Sequence, residues 1–135
     1  MDANPEQALR ESANRISREI ITKSLHIHSR LGPGLLEGAY KTCLAHELEK
    51  SGLTVQTELV LPVMYDGIRI EAGYRLDLLV AKIVIVEVKA IAQILPIHIA
   101  QLLTYLRLSD KRLGLLINFN VPRLSEGIKR LVNRF

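Results

Sequence analysis

The chain has 135 residues, 48% hydrophobic and 24% charged, with 18 basic side chains against 14 acidic ones and a net charge of +4. That is the profile of one compact globular domain spanning 1–135, long enough to hold a core without disulfide or metal staples. A lone cysteine, Cys43, excludes an internal disulfide and a cysteine-rich zinc site. Four tyrosines, two phenylalanines and no tryptophan argue against binding a strand along a row of stacked aromatic rings.

The elements follow from the spacing of apolar residues. Ile16, Ile20, Ile27 and Leu31, joined by Ile21 and Leu25, recur at helical spacing and predict an amphipathic helix over about 6–31. Gly32-Pro33-Gly34 ends it, because glycine supplies a cap and proline forbids continuation. A second helix is predicted over about 35–51, with Leu36, Tyr40, Cys43, Leu44 and Leu48 on one face. From Thr54 the period shortens to two. Val55, Thr57, Leu59 and Leu61 alternate, and Val63 and Tyr65 lead into Asp66-Gly67, a short hairpin signal. The return strand begins at Ile68 and resumes from Tyr74 to Val80, and the β-branched run 83–88 reads as a buried central strand. Pro96 introduces a helix over about 97–108, and 113–119 is one more apolar strand. Ser125 is read as the cap of a final short helix carrying Ile128, Leu131 and Val132. The order α, α, β, β, β, α, β, α predicts an α/β fold, a mixed sheet flanked by helices with an extra helix at the N-terminus.

The sharpest chemical feature is Asp77, followed ten residues later by Glu87-Val88-Lys89. Residues two apart on a strand share a face, so Glu87 and Lys89 point the same way. If the two strands are antiparallel about a connection centred on Lys82, Asp77 lies across from Glu87; one residue fewer would set it across from Val86. Two opposed carboxylates in apolar surroundings repel each other and call for a cation. A hard divalent metal, Mg²⁺ or Mn²⁺, fits an oxygen ligand set, and Lys89 could orient a water beside it. A structural acid–lysine pair is the bland alternative and carries equal weight on these residues alone. Glu37 lies in a first helical turn, where a carboxylate suits the helix dipole, and could also lean toward the other acids. His98, Gln101 and Tyr105 share a helical face. The basic residues Lys129, Arg130 and Arg134 offer phosphate contacts.

Taken together, Gly34-x-x-Glu37-x-x-Tyr40, Gly73-Tyr74-Arg75-Leu76-Asp77, Ile85-Val86-Glu87-Val88-Lys89, Ala100-Gln101-Leu102-Leu103-Thr104-Tyr105 and Leu116-Ile117-Asn118-Phe119-Asn120 resemble the GxxExxY family. That family is assigned to the PD-(D/E)xK nuclease-like superfamily, whose restriction-endonuclease-like core is αβββαβ. The resemblance runs from about Ile20 to the C-terminus. It implies that Asp77 and Glu87 bind metal, with Glu37 and the Val88 carbonyl, that Lys89 is the active-site lysine, and that Gln101 and Tyr105 support the site or the nucleic acid. It gives no role to His28 or His98, and Ile99 stands where an acid often follows the histidine. The expectation is a Mg²⁺- or Mn²⁺-dependent phosphodiesterase acting on nucleic acid, with DNA ahead of RNA. Its rival is a binding module that keeps the fold without turnover. No leader pattern or membrane-length apolar run is visible, so the expected setting is cytoplasmic, with self-association left open.

Overall fold

The computed structural model describes residues 4–135. Helix α1 spans Pro5–Leu31. Asn4 caps it by accepting the N–H groups of Glu6 and Gln7 on its side-chain oxygen, and Gly32, at φ 67°, ends it. Helix α2 spans Glu37–Lys50. The strands β1 (Val55–Val60), β2 (Val63–Tyr65), β3 (Ile68–Ile70), β4 (Arg75–Val80) and β5 (Val84–Lys89) follow, then α3 (Pro96–Ser109) and β6 (Leu113–Asn118). A single 3₁₀ turn, Leu124–Gly127, leads into β7 (Ile128–Val132).

Five strands form one mixed sheet in the order β1-β4-β5-β6-β7. Only β5 and β6 are parallel, as they must be when α3 carries the chain across. The strands β2 and β3 stand apart as a hairpin inserted between β1 and β4, turned by Asp66 and Gly67, both at positive φ. Helices α1 and α2 cover one face: Ile16, Ile20, Tyr40, Leu44 and Leu48 pack on Val80, Val84, Val86, Leu113 and Leu115. Helix α3 covers the other, with Leu102, Tyr105 and Leu106 on Leu79, Ile85 and Leu116. The central strands are thus buried on both sides, which explains their nearly unbroken apolar sequences. This is an α/β restriction-endonuclease-like arrangement.

The final helix expected from Ile128, Leu131 and Val132 is instead the edge strand β7. It pairs antiparallel with β6 from Leu113↔Val132 to Ile117↔Ile128. Three apolar residues at helical spacing are a weak local preference, and the free hydrogen-bonding edge of β6 outweighs it. The turn into β7 depends on Gly127, whose Cβ position would collide with the backbone oxygen of Asn118. Gly127→Ala is expected to destabilise by about 1–3 kcal/mol, since backbone cannot yield as a side-chain tip can. Gly38→Ala, at an open position in α2, should stabilise by about 0.5–1 kcal/mol. Thermal melts of the two variants should shift in opposite directions.

Candidate active site

The site begins with a fault in the sheet. Strands β1 and β4 pair from Val55↔Val80 to Thr57↔Leu78 and again at Leu59↔Leu76, leaving Glu58 and Asp77 out of the ladder. Glu58 has φ 51°, a left-handed backbone that a non-glycine residue adopts at a cost of about 1–3 kcal/mol. Leu76 and Leu78 would share a face on a regular strand, yet Leu78 packs under α1 and α2 while Leu76 packs under α3. Strand β4 therefore turns over at Asp77.

Strands β4 and β5 pair as Leu78↔Val86, Leu79↔Ile85 and Val80↔Val84 about a loop centred on Lys82. This is the longer of the two connections considered, and it brings Asp77 level with Glu87. The backbone pairing stops at Leu78. In its place the Asp77 N–H donates to Glu87 Oε2 at 2.9 Å, and the Val88 N–H donates to Asp77 Oδ2 at 2.9 Å. Each carboxylate thus accepts a backbone N–H of the other strand, and the two acids interlock rather than merely face each other.

Glu87 is only 5% exposed. Burial, and then the Asp77 charge, push its pKa up to about 8, against the Asp77 N–H and the charges of Lys89 and Lys41. Asp77 is held on its other side by Lys41 of α2, whose Nζ lies 3.3 Å from Asp77 Oδ1 and 2.5 Å from Glu58 Oε1. Burial alone would lower the Lys41 pKa, but the hydrogen bond to Glu58 and the Asp77 charge raise it above the usual lysine value. Neither Lys41 nor Glu58 was expected here. Lys41 is one helical turn beyond Glu37 and could have been weighed with it; nothing in the sequence marks Glu58.

Glu37 opens α2, in its first turn. Among the described residues no three His, Cys, Asp or Glu side chains gather where they could share a metal ion. The charged side chain that α2 brings against Asp77 is Lys41. The Tyr40 of the same motif is fully buried and structural. Its hydroxyl donates to the Gly32 carbonyl at 2.6 Å and accepts the Leu35 N–H at 3.1 Å, and its ring stacks on Phe119 at 4.6 Å. His28 donates from Nε2 to the Val121 carbonyl at 2.8 Å, tying α1 to the segment after β6.

Lys89 ends β5 two residues from Glu87, level with Asn118 of β6. Asn118 is 1% exposed, and its amide both accepts the Ile91 N–H at 3.0 Å and donates to the Ile91 carbonyl at 2.9 Å. It thereby fixes the chain just beyond Lys89. On α3, Gln101 is exposed while Tyr105 is 6% exposed. Burial, then the Glu87 charge, raises the Tyr105 pKa. His98 accepts the Leu95 N–H on Nδ1 at 2.9 Å and so caps its own helix. The basic C-terminal residues form no common stripe: Arg130 reaches Asn14 of α1 at 2.6 Å, Arg134 pairs with Asp110, and Lys129 takes the opposite face of β7 from Arg130.

A five-stranded mixed sheet between helices, with interlocked acids and a lysine where two strands part, defines a nuclease-like α/β protein. The profile of the PD-(D/E)XK nuclease superfamily matches residues 14–131, and the chain belongs to that superfamily. No curated protein and no solved structure matches the chain.

Proposed function

We propose that the protein is a divalent-metal-dependent nuclease of the GxxExxY branch that hydrolyses phosphodiester bonds of nucleic acid. The observation that carries this reading is the interlocked Asp77–Glu87 pair, in which a buried carboxyl holds its proton to about pH 8. Such a pair fits a cation: two hard oxygen donors are gathered, and their repulsion is only partly relieved by Lys41. Asp77 and Glu87, with the Val88 carbonyl, would hold Mg²⁺ or Mn²⁺, which when bound offsets charge on the scissile phosphate.

The remaining work belongs to the chain's own side chains. Lys89, beside Glu87, orients the attacking water and balances negative charge as the phosphorus–oxygen bond breaks. Lys41 holds the Asp77 carboxylate from the side opposite Val88. Asn118 fixes the segment that follows Lys89, and Tyr105 and Gln101 wall the site from α3. DNA is the expected substrate ahead of RNA.

The rival reading, a binding module without turnover, is favoured by one observation. Lys41 already supplies Asp77 with a cation, so the fold stands without metal. A cleavage assay on single-stranded and duplex DNA and RNA, with Mg²⁺, Mn²⁺ or chelator, separates the two. Cleavage that requires the metal is expected. Binding with no cleavage of any substrate in either metal would establish the rival.

A further inference from the structure

Between α3 and the β2–β3 hairpin lies a groove of about 650 Å³ lined by Val63, Tyr74, Ile97, Gln101, Thr104 and Tyr105 among others. Its side chains are mostly apolar, and among the described residues no carboxylate lines it. The rings of Tyr74 and Tyr105 stand 6.3 Å apart at 60°, and Tyr74 is 43% exposed. Both tyrosines of this pair adjoin strands that carry the site. Tyr105 packs with Ile85, the residue two before Glu87 on β5, and Tyr74 immediately precedes β4, which carries Asp77.

We propose that this groove receives the unstacked base of a nucleotide whose phosphate lies at Asp77, Glu87 and Lys89, so that the protein acts on unpaired nucleic acid. The inference rests on the nuclease reading and names its substrate class. A nucleobase has apolar faces and a polar edge, and the groove offers the same combination: tyrosine and aliphatic walls with the Gln101 amide and the Thr104 hydroxyl among them. Thr104 Oγ1 accepts from Arg107 at 3.0 Å, so a cation stands by the groove for a neighbouring phosphate. A base still paired and stacked in a duplex presents no free face to enter such a slot. The few tyrosines of the chain cannot line a strand, but two of them meeting at one groove suffice for a single base.

The test measures binding with metal chelated, using DNA and RNA oligonucleotides that carry 2-aminopurine, single-stranded or as blunt duplexes of equal length. Wild type should bind the single strands at least about tenfold more tightly and quench the reporter base. Tyr74→Ala should weaken single-strand binding about 5- to 150-fold, the range for loss of one stacked base, while Tyr74→Phe retains it. Ala100→Trp, which fills the groove from an exposed helical position, should reproduce the loss with the fold intact by thermal melt. Equal binding of single strand and duplex, or Tyr74→Ala and Ala100→Trp without effect, while metal-dependent cleavage proceeds, overturns the base groove and leaves the nuclease reading standing. Tyrosine-dependent binding with no cleavage of any substrate keeps the groove and overturns the nuclease reading. The DNA and RNA arms identify the sugar it accepts.

Discussion

Lys89→Ala is expected to lower metal-dependent cleavage by about 10²–10³-fold while leaving divalent-cation affinity nearly unchanged. Losing one positioned group that stabilises developing charge costs on that scale. The backbone at this position is held independently of the side chain, because β5 pairs along β6 up to Lys89↔Asn118 and the Lys89 carbonyl accepts the Phe119 N–H at 2.9 Å. Truncation therefore removes the ammonium without moving the strand. Glu87→Gln should behave differently and weaken both cleavage and metal binding. Its amide oxygen can still accept the Asp77 N–H, so the loss reports charge rather than collapse of the interlock. Initial rates and titration calorimetry read the two quantities separately. Unchanged cleavage in Lys89→Ala would remove the lysine from the chemistry, and unchanged metal affinity in Glu87→Gln would remove the acid pair as the metal centre.

The second large effect is on stability without metal. Glu87 ionises near 4.5 in the unfolded chain and near 8 in the folded one. Across that window the folded state holds a proton that the unfolded state has lost. Stability is therefore fully present below about pH 4.5 and falls as pH rises toward 8, by up to about 1.4 kcal/mol per unit. The total is on the order of a few kcal/mol. Glu87→Gln cannot ionise, so it should flatten this part of the profile and melt higher than wild type at pH 8. Saturating Mg²⁺ should also flatten it for wild type, because the cation competes with the proton for the same oxygens. Chemical denaturation from pH 4.5 to 8.5, with chelator and with Mg²⁺, checks both. A wild-type profile as flat as that of the variant would mean that Glu87 ionises freely in the folded protein.

Where the residues alone were informative, they acted through short-range rules. The period-two run at Val55, Thr57 and Leu59, the Asp66-Gly67 turn and the twice-buried strand before Lys89 each depend on neighbours within a few positions. The loop about Lys82 did the same for the site: its length alone brought Asp77 level with Glu87 once the strands paired. The last segment misled for the same reason, because the edge of β6 that draws Ile128–Val132 into a strand lies ten or more residues upstream.

Periodicity and turn length act along the chain, so the residues alone carried the layers, the elements as far as β6 and the alignment of Asp77 with Glu87. How the two acids are held comes from packing between distant segments. The left-handed turn of Glu58 and the reversal of β4 at Asp77 arise between strands that meet across a long insertion. The packing of α2 on the sheet then sets Lys41 against Asp77, because a helix is aimed by its packing and not by its own residues. Burial, which is a property of the assembled layers, is what raises Glu87 to about 8, far from an ordinary glutamate.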